Sequence, residues 1–141
     1  MPLDIQMDGL TLSVANVKRS VKFYCETLGF TLVVDTAPDF AMVRPKAPHS
    51  PTIGLLSLEW AVEEKLKKVT PAMTEGMHLE FSTGDVDALY ETLKKKGVTF
   101  DGPPEDRSWG ERSTYGTDPD GYTIEFAQAE MPMRSKAKKK G

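Results

Sequence analysis

Glu125 is the side chain whose chemistry most needs an explanation. It lies in the middle of a stretch from Tyr122 to Ala127 in which every second residue is large and apolar, as in a half-buried strand. A carboxylate in that setting is expensive to bury unless another group pairs with it. The candidate partner is His78, and an imidazole beside a carboxylate supports three roles: a hydrogen-bonded pair without function, a metal-free acid–base pair, or two metal ligands.

The protonation state of such a pair stays open at this stage. Burial raises the pKa of the carboxylate, whereas a protonated imidazole lowers it, so the two effects oppose each other. The turn just before the strand is better defined. Pro119 presets φ, Asp118 and Asp120 offer acceptors to the local backbone, and Gly121 tolerates positive φ. This turn therefore predicts where the strand of Glu125 begins.

Strands and helices follow one another in a regular order. Asn16 and Asp85 are predicted N-caps of two helices, which Gly29 and Gly97 end. Residues 59–71 are predicted to form a short helix or a connection, and residues 101–109 a loop. The predicted strands are Gly9–Val14, Phe30–Val34, Phe40–Val43, Thr52–Ser57, His78–Thr83, Val98–Phe100, Arg112–Gly116 and the strand after Gly121.

The two halves of the chain repeat one unit. Residues 9–14 align with 78–83 at an offset of 69, and residues 52–56 align with 123–127 at an offset of 71. Each half is a strand, a helix and three strands. The predicted fold is α+β, with two tandem βαβββ modules that form a curved sheet with helices outside and a central cleft. The repeat pairs Gly9 with His78 and Gly54 with Glu125, which makes His78 the expected partner of Glu125.

Length and composition are consistent with one domain. We expect it to span residues 1–130, with module one at about 7–58, a linker at about 59–76, module two at about 77–128, and a basic, disordered tail at 131–141. The net charge of −3 disfavours a nucleic-acid surface, and no apolar stretch has membrane length. A single cysteine, Cys25, and the lack of a signal-like N-terminus favour the cytoplasm.

The chain resembles the vicinal oxygen chelate superfamily, which includes glyoxalase I, extradiol dioxygenases and bleomycin-resistance proteins. The resemblance covers roughly residues 7–128. It is carried by Leu12–Phe30, by His78-Leu-Glu-Phe81, and by Asp118-Pro-Asp-Gly-Tyr-Thr-Ile-Glu-Phe126. The resemblance implies a small-molecule ligand or substrate. We also expect a homodimer, because repeated units of this kind commonly bury their edge strands by pairing within or between chains. No nucleic-acid or membrane partner is expected.

The resemblance also implies where a metal would be held. Catalytic members use cleft-facing His, Glu or Gln side chains, and His78 and Glu125 match two of these positions. Gly9 and Gly54 match the others and have no side chain to donate. Glu80 lies on the same face as His78 and can reach the cleft. It is not counted as a replacement for the ligands missing at Gly9 and Gly54. One imidazole and one carboxylate are too few for a tight metal site.

We therefore expect a small-molecule-binding protein without a cofactor, in which His78 and Glu125 contact the ligand. The alternative is a glyoxalase-like lyase or isomerase, or a ring-cleaving dioxygenase, that uses the same two residues as catalytic groups with Zn, Ni, Fe or Mn. A scaffold role in interaction or stress is a third class. Further predicted ligand contacts, from stacking, anion-binding or cleft-lining side chains, are Trp109, Arg112, Tyr115, Glu80, Thr11 and Phe40.

Overall fold

The computed structural model describes residues 3–66, 69–71 and 75–129. It contains two compact units, Met1–Ala72 and Met73–Gly141, whose boundary falls within the predicted linker. The predicted basic tail, residues 131–141, lies outside the described residues. The single-domain organisation and the central cleft remain predictions. Among the described residues, no helix combines the length and the apolar character needed to cross a bilayer.

The first unit is a four-stranded sheet with two short helices. The strands pair in the order β1-β4-β3-β2, with β1 parallel to β4 and the other pairs antiparallel. Helix α1 packs on β3 and β4. The elements are β1 (Gly9–Val14), α1 (Val17–Val21) continued by a π-helical turn (Lys22–Thr27), β2 (Thr31–Thr36), β3 (Phe40–Arg44), β4 (Thr52–Ser57) and α2 (Leu58–Glu63).

The second unit repeats this arrangement around β9. Its strands pair in the order β5-β9-β8-β6, β7 also pairs with β8, and β5 is parallel to β9. Helix α3 packs on β8 and β9. The elements are β5 (Leu79–Ser82), α3 (Val86–Lys95), β6 (Thr99–Phe100), β7 (Glu105–Asp106), β8 (Glu111–Thr117) and β9 (Thr123–Ala129).

The registers of the two units agree with the repeat. Leu10 pairs with Ile53 in the first unit, and Leu79 pairs with Ile124 in the second. The predicted offsets carry the first pair onto the second. The α+β fold with two βαβββ modules is therefore confirmed. Gly54 of the first unit also corresponds to Glu125 of the second, as the repeat predicted.

Local signals in the sequence explain most boundaries. The Asn16 side chain accepts from the Arg19 N–H, and Asp85 accepts from the Ala88 N–H, so both are N-caps. Gly29 and Gly97 have φ of +78° and +94° at the helix ends. Asp118 accepts the N–H groups of two later residues and closes the predicted turn.

Three predictions about elements were wrong in detail. The helix after Asn16 is not a continuous α-helix, because Leu28 N–H bonds to the Phe23 carbonyl five residues earlier. The predicted loop 101–109 contains strand β7, which is too short to show alternation. The strand predicted to begin at His78 begins at Leu79, so His78 lies just outside it.

Candidate functional site

Three side chains converge in the second unit: His78, Glu80 and Glu125. The His78 Nε2 atom lies 3.2 Å from Glu125 Oε1 and 3.4 Å from Glu80 Oε1. One donor atom from each residue lies within 4.8 Å of the others. The predicted pair of His78 and Glu125 is therefore present in the structure, and Glu80 joins it as a third group.

Strand geometry explains this convergence. Glu80 and Glu125 are direct partners in the parallel pair of β5 and β9. Successive side chains in a strand alternate between faces, so His78 and Glu80 project from the same side. Their neighbours Leu79 and Ile124 are buried on the other side, and helix α3 packs on β9. The hydrophobic pattern thus sets the direction in which all three polar side chains point.

Glu125 is buried although it is ionisable. Only 3% of the residue is exposed, whereas the side chains of His78 and Glu80 are 36% and 72% exposed. Glu125 Oε2 is inaccessible and has no hydrogen-bond partner among the described residues. A buried acceptor without a partner costs about 1–3 kcal/mol.

Tyr115 is the aromatic neighbour of the cluster. It is the register partner of Glu125, and its ring meets the His78 ring edge to face at 5.6 Å between centroids. Burial raises the pKa of its hydroxyl, and the hydrogen bond and negative charge of Glu125 add to this effect. The neutral hydroxyl is therefore favoured beside the carboxylate. The structure brings the predicted residue Tyr115 to the site.

Arg107 is the site residue that sequence reasoning missed. Its guanidinium lies 5.4 Å from the centre of the Tyr115 ring, and it donates to the hydroxyl and the carbonyl oxygen of Ser113. Ser113 and Tyr115 share a face of β8 because they are two residues apart. Arg107 follows the two-residue strand β7, which is too short to show alternation. No local sequence pattern therefore predicted which side of the sheet its side chain would contact.

Arg112 is not brought to this cluster. It lies an odd number of residues from Tyr115 and therefore on the opposite, helix-facing side of β8. Its guanidinium donates to both carboxylate oxygens of Asp87 at 2.9 Å and to Asp106 at 3.0 Å. The hydrogen bond from Arg112 lowers the pKa of Asp87. The predicted anion clamp is instead engaged in ion pairs with α3 and β7.

Trp109 presents a partly exposed ring in the turn before β8. The residue is 43% exposed, and its indole N–H donates to Glu111 at 2.8 Å. The hydrogen bond therefore fixes the indole N–H, and part of the side chain remains accessible to solvent. Its role as a ligand contact stays a prediction.

The remaining predicted contacts, Thr11 and Phe40, lie in the first unit against Gly54. A Cβ atom added at Gly54 would lie 2.7 Å from the Thr11 hydroxyl oxygen and 3.1 Å from the Phe40 ring. A Cβ added at Gly9 would lie 2.1 Å from the Thr52 carbonyl oxygen. Both glycine positions are therefore closed by neighbouring atoms as well as lacking a side chain.

The second unit has the donor set of a divalent-cation site. Two carboxylates and one imidazole are nitrogen and oxygen ligands that first-row cations accept. The Glu125 oxygen that faces His78 is Oε1, at 3.2 Å from Nε2. Sequence reasoning expected only two donors; the position of Glu80 raises the number to three, and the residues fit such an ion.

A family model described as Glyoxalase/Bleomycin resistance protein/Dioxygenase superfamily matches residues 6–126. The chain belongs to this superfamily. The match covers both βαβββ modules and the three residues of the cluster. Membership agrees with the resemblance found in the sequence.

The chain is similar to individual proteins with quite different names. The chain is 28% identical to glutathione transferase FosA of Serratia marcescens over 91% of this chain and 84% of that protein. It is 30% identical to virulence protein STM3117 of Salmonella typhimurium, over 87% and 83%. The crystal structure of TnmS3, an antibiotic binding protein from Streptomyces sp. CB03234, superposes with a TM-score of 0.70 at 29% identity, over 92% of this chain and 100% of that one.

Proposed function

We propose that this protein binds a small organic molecule that carries an aromatic surface and a hydrogen-bond-donating or cationic group. The observation that supports this most directly is the buried carboxylate of Glu125, whose Oε1 atom lies 3.2 Å from the partly exposed His78 imidazole. A ligand N–H or ammonium group placed beside His78 and Glu80 would pair with the negative charge of Glu125 and offset the cost of burying it. The binding surface is the face of the second unit that carries the cluster.

Aromatic recognition is supported by the side chains around the carboxylate. Tyr115 and His78 provide two rings at a steep mutual angle of 76°, which presents both an edge and a face. Arg107 adds a positive charge beside the Tyr115 ring. Trp109 is a further candidate contact, because its ring is partly exposed. The name of TnmS3, an antibiotic binding protein, and its similarity to this chain support the same class of ligand.

Replacing Glu125 by Gln is expected to weaken such a ligand at least tenfold. The substitution keeps the shape of the side chain but removes the negative charge, and a charge-assisted hydrogen bond is worth about 1.5–3 kcal/mol. The measurement is a fluorescence or NMR titration with the best compound from a screen of aromatic and cationic molecules. Glu91→Gln is the matched control, because Glu91 is exposed on helix α3.

Two outcomes would contradict the proposed ligand site. One is a ligand whose affinity changes equally in Glu125→Gln and in the Glu91→Gln control. The other is a screen in which no compound binds the folded wild-type protein. Tyr115→Phe provides a second check, since it keeps the ring and removes only the hydroxyl beside Glu125.

A metal-dependent enzyme is the second candidate, and the observation that favours it is the third donor, Glu80. In this reading His78 and Glu125 are the catalytic residues of a glyoxalase-like lyase or isomerase, or of a ring-cleaving dioxygenase. A bound divalent cation would supply Lewis-acid polarisation of substrate oxygens. Metal binding by the purified chain, followed by turnover of such a substrate, would favour this candidate over a binding protein.

We also propose that the protein is a homodimer. Strand β2 is at the edge of the first sheet, and Leu32, Val33 and Val34 are each about 40% exposed. Consecutive exposed apolar residues on an edge strand are a liability unless another surface covers them. The pairing irregularity between Leu32 and Val34 makes side-chain packing a better contact than continued strand pairing.

Val33→Lys is expected to shift the protein from dimer to monomer, because a charge placed in an apolar contact is costly to desolvate. Light scattering after size exclusion measures the mass directly. Lys18→Glu on the exposed side of α1 is a control that also changes charge. A wild-type protein that is monomeric at high concentration, or a Val33→Lys variant that remains a dimer, would contradict the proposed interface.

A further inference from the structure

A cavity with a basic lining lies in the first unit, in the connection from β3 to β4. Seven of its eight lining residues are consecutive, residues 44–50, and the eighth is Thr31, the register partner of Arg44. The cavity has a volume of about 290 Å³. Pockets that bind small molecules begin at about 300 Å³, so this cavity has the size expected for a small ligand.

The ionisable side chains that line this cavity are all basic. They belong to Arg44, Lys46 and His49, and none of the lining residues is acidic. Neither Arg44 nor Lys46 forms an ion pair with a described residue, although the chain as a whole carries a net charge of −3. Basic side chains that surround a concave surface without compensating acids attract an anion.

The connection that carries these side chains is conformationally restricted. Three of its residues are prolines, and each fixes φ at its own position. The Ser50 hydroxyl donates to the Ala47 carbonyl oxygen at 2.8 Å, which closes a turn. His49 has a φ of +63°, which is uncommon for residues other than glycine. A site whose backbone is already restricted loses less conformational freedom when a ligand binds.

A phosphate group matches this lining better than a carboxylate does. A phosphate monoester carries a charge of about −1.5 to −2 at neutral pH and offers three acceptor oxygens, whereas a carboxylate has a single charge and fewer oxygens. The Arg44 guanidinium can donate to two of these oxygens in parallel, and the Lys46 ammonium supplies a compact second charge. His49 and Thr31 add an imidazole and a hydroxyl to the lining.

We propose that this cavity binds the phosphate group of a small molecule, either inorganic phosphate or a phosphate monoester. Arg44 is the main anchor of the phosphate, and Lys46 is the second cation. The site is built from residues of the first unit alone and shares none with the cluster of His78, Glu80 and Glu125. The proposal therefore does not depend on the function proposed above.

The test is calorimetric titration of the full chain with inorganic phosphate, with glycerol phosphate and with acetate. We expect both phosphates to bind the wild type, and acetate to bind at least about tenfold more weakly. Arg44→Gln is expected to weaken both phosphates at least about tenfold, and Arg44→Lys by less, because lysine keeps the charge but lacks the two parallel donors. Lys95→Gln removes an equal charge from the exposed face of α3 in the second unit and should change the affinity less than about twofold.

Lys46→Gln is a second variant, because Lys46 is exposed and lies outside the strands, so that its loss of affinity is not a loss of fold. Tighter binding of glycerol phosphate than of inorganic phosphate supports an organic phosphate as the ligand, and the reverse order supports the free ion. Wild-type protein that binds neither phosphate at about 10 mM overturns the proposal. Equal weakening in Arg44→Gln and Lys95→Gln also overturns it, as does acetate that binds as tightly as phosphate.

Discussion

Gly54→Glu is expected to destabilise the protein by at least about 3 kcal/mol, although it restores a carboxylate at a position where the resemblance expects one. Two costs add. The new Cβ would lie 2.7 Å from the Thr11 hydroxyl and 3.1 Å from the Phe40 ring, and overpacking of this kind costs about 1–3 kcal/mol. The carboxylate would also be buried in the central strand β4 without a described partner, which costs several kcal/mol more.

Urea unfolding measures this loss as a lower midpoint at an unchanged slope. Gly84→Glu is the matched control, because Gly84 is exposed and a Cβ there meets no atom within 4 Å. We expect the control to stay within about 0.5 kcal/mol of the wild type. Gly54→Ala should fall between the two, since it adds the steric conflict but no charge. Equal midpoints for Gly54→Glu and Gly84→Glu would show that Thr11 and Phe40 do not close this position.

Asp118→Ala is expected to destabilise the protein by about 3 kcal/mol or more. The Asp118 Oδ1 atom accepts the N–H groups of Asp120 and Tyr122, each at 2.9 Å, and the residue is only 6% exposed. Its removal leaves both N–H groups without this acceptor, and hydrogen bonds to a charged group are worth about 1.5–3 kcal/mol each. The turn also leads the chain into β9, so the affinity for a ligand bound beside Glu125 should fall with the stability.

Asp118→Asn separates the acceptor from its charge. The amide keeps an oxygen in place of Oδ1 and loses the negative charge, so about half of the destabilisation is expected. Both variants are compared with the wild type by urea unfolding at neutral pH. A loss below about 1 kcal/mol in Asp118→Ala would mean that the turn forms without its side-chain bonds, and that Pro119 and Gly121 are sufficient.

The sequence was most informative where interactions are local or repeated. N-caps, left-handed glycines and the turn at Asp118 depend on a few consecutive residues, and the structure confirms them. The pairing of His78 with Glu125 spans 47 residues but was also predictable. The repeat supplied the alignment of the strands, and alternation supplied the face on which each side chain lies.

The side of the sheet on which Arg112 lies could have been predicted from the sequence. Arg112 and Tyr115 are three residues apart in one strand, so they cannot share a face. Arg112 therefore had to face the helix, where it pairs with Asp87. Arg107 is a different case. Its position depends on strand β7, whose two residues are too few for any periodicity to be recognised.

The sequence by itself determined the superfamily, the two modules, and the carboxylate and imidazole at the centre of the candidate site. Only the tertiary structure showed that Glu80 reaches His78, because the rotamer of a long exposed side chain depends on neighbours that no pattern encodes. It also showed that the two glycines are closed by Thr52, Thr11 and Phe40. The reason is close packing between strands, because the assembled sheet sets interatomic distances to within a few tenths of an ångström.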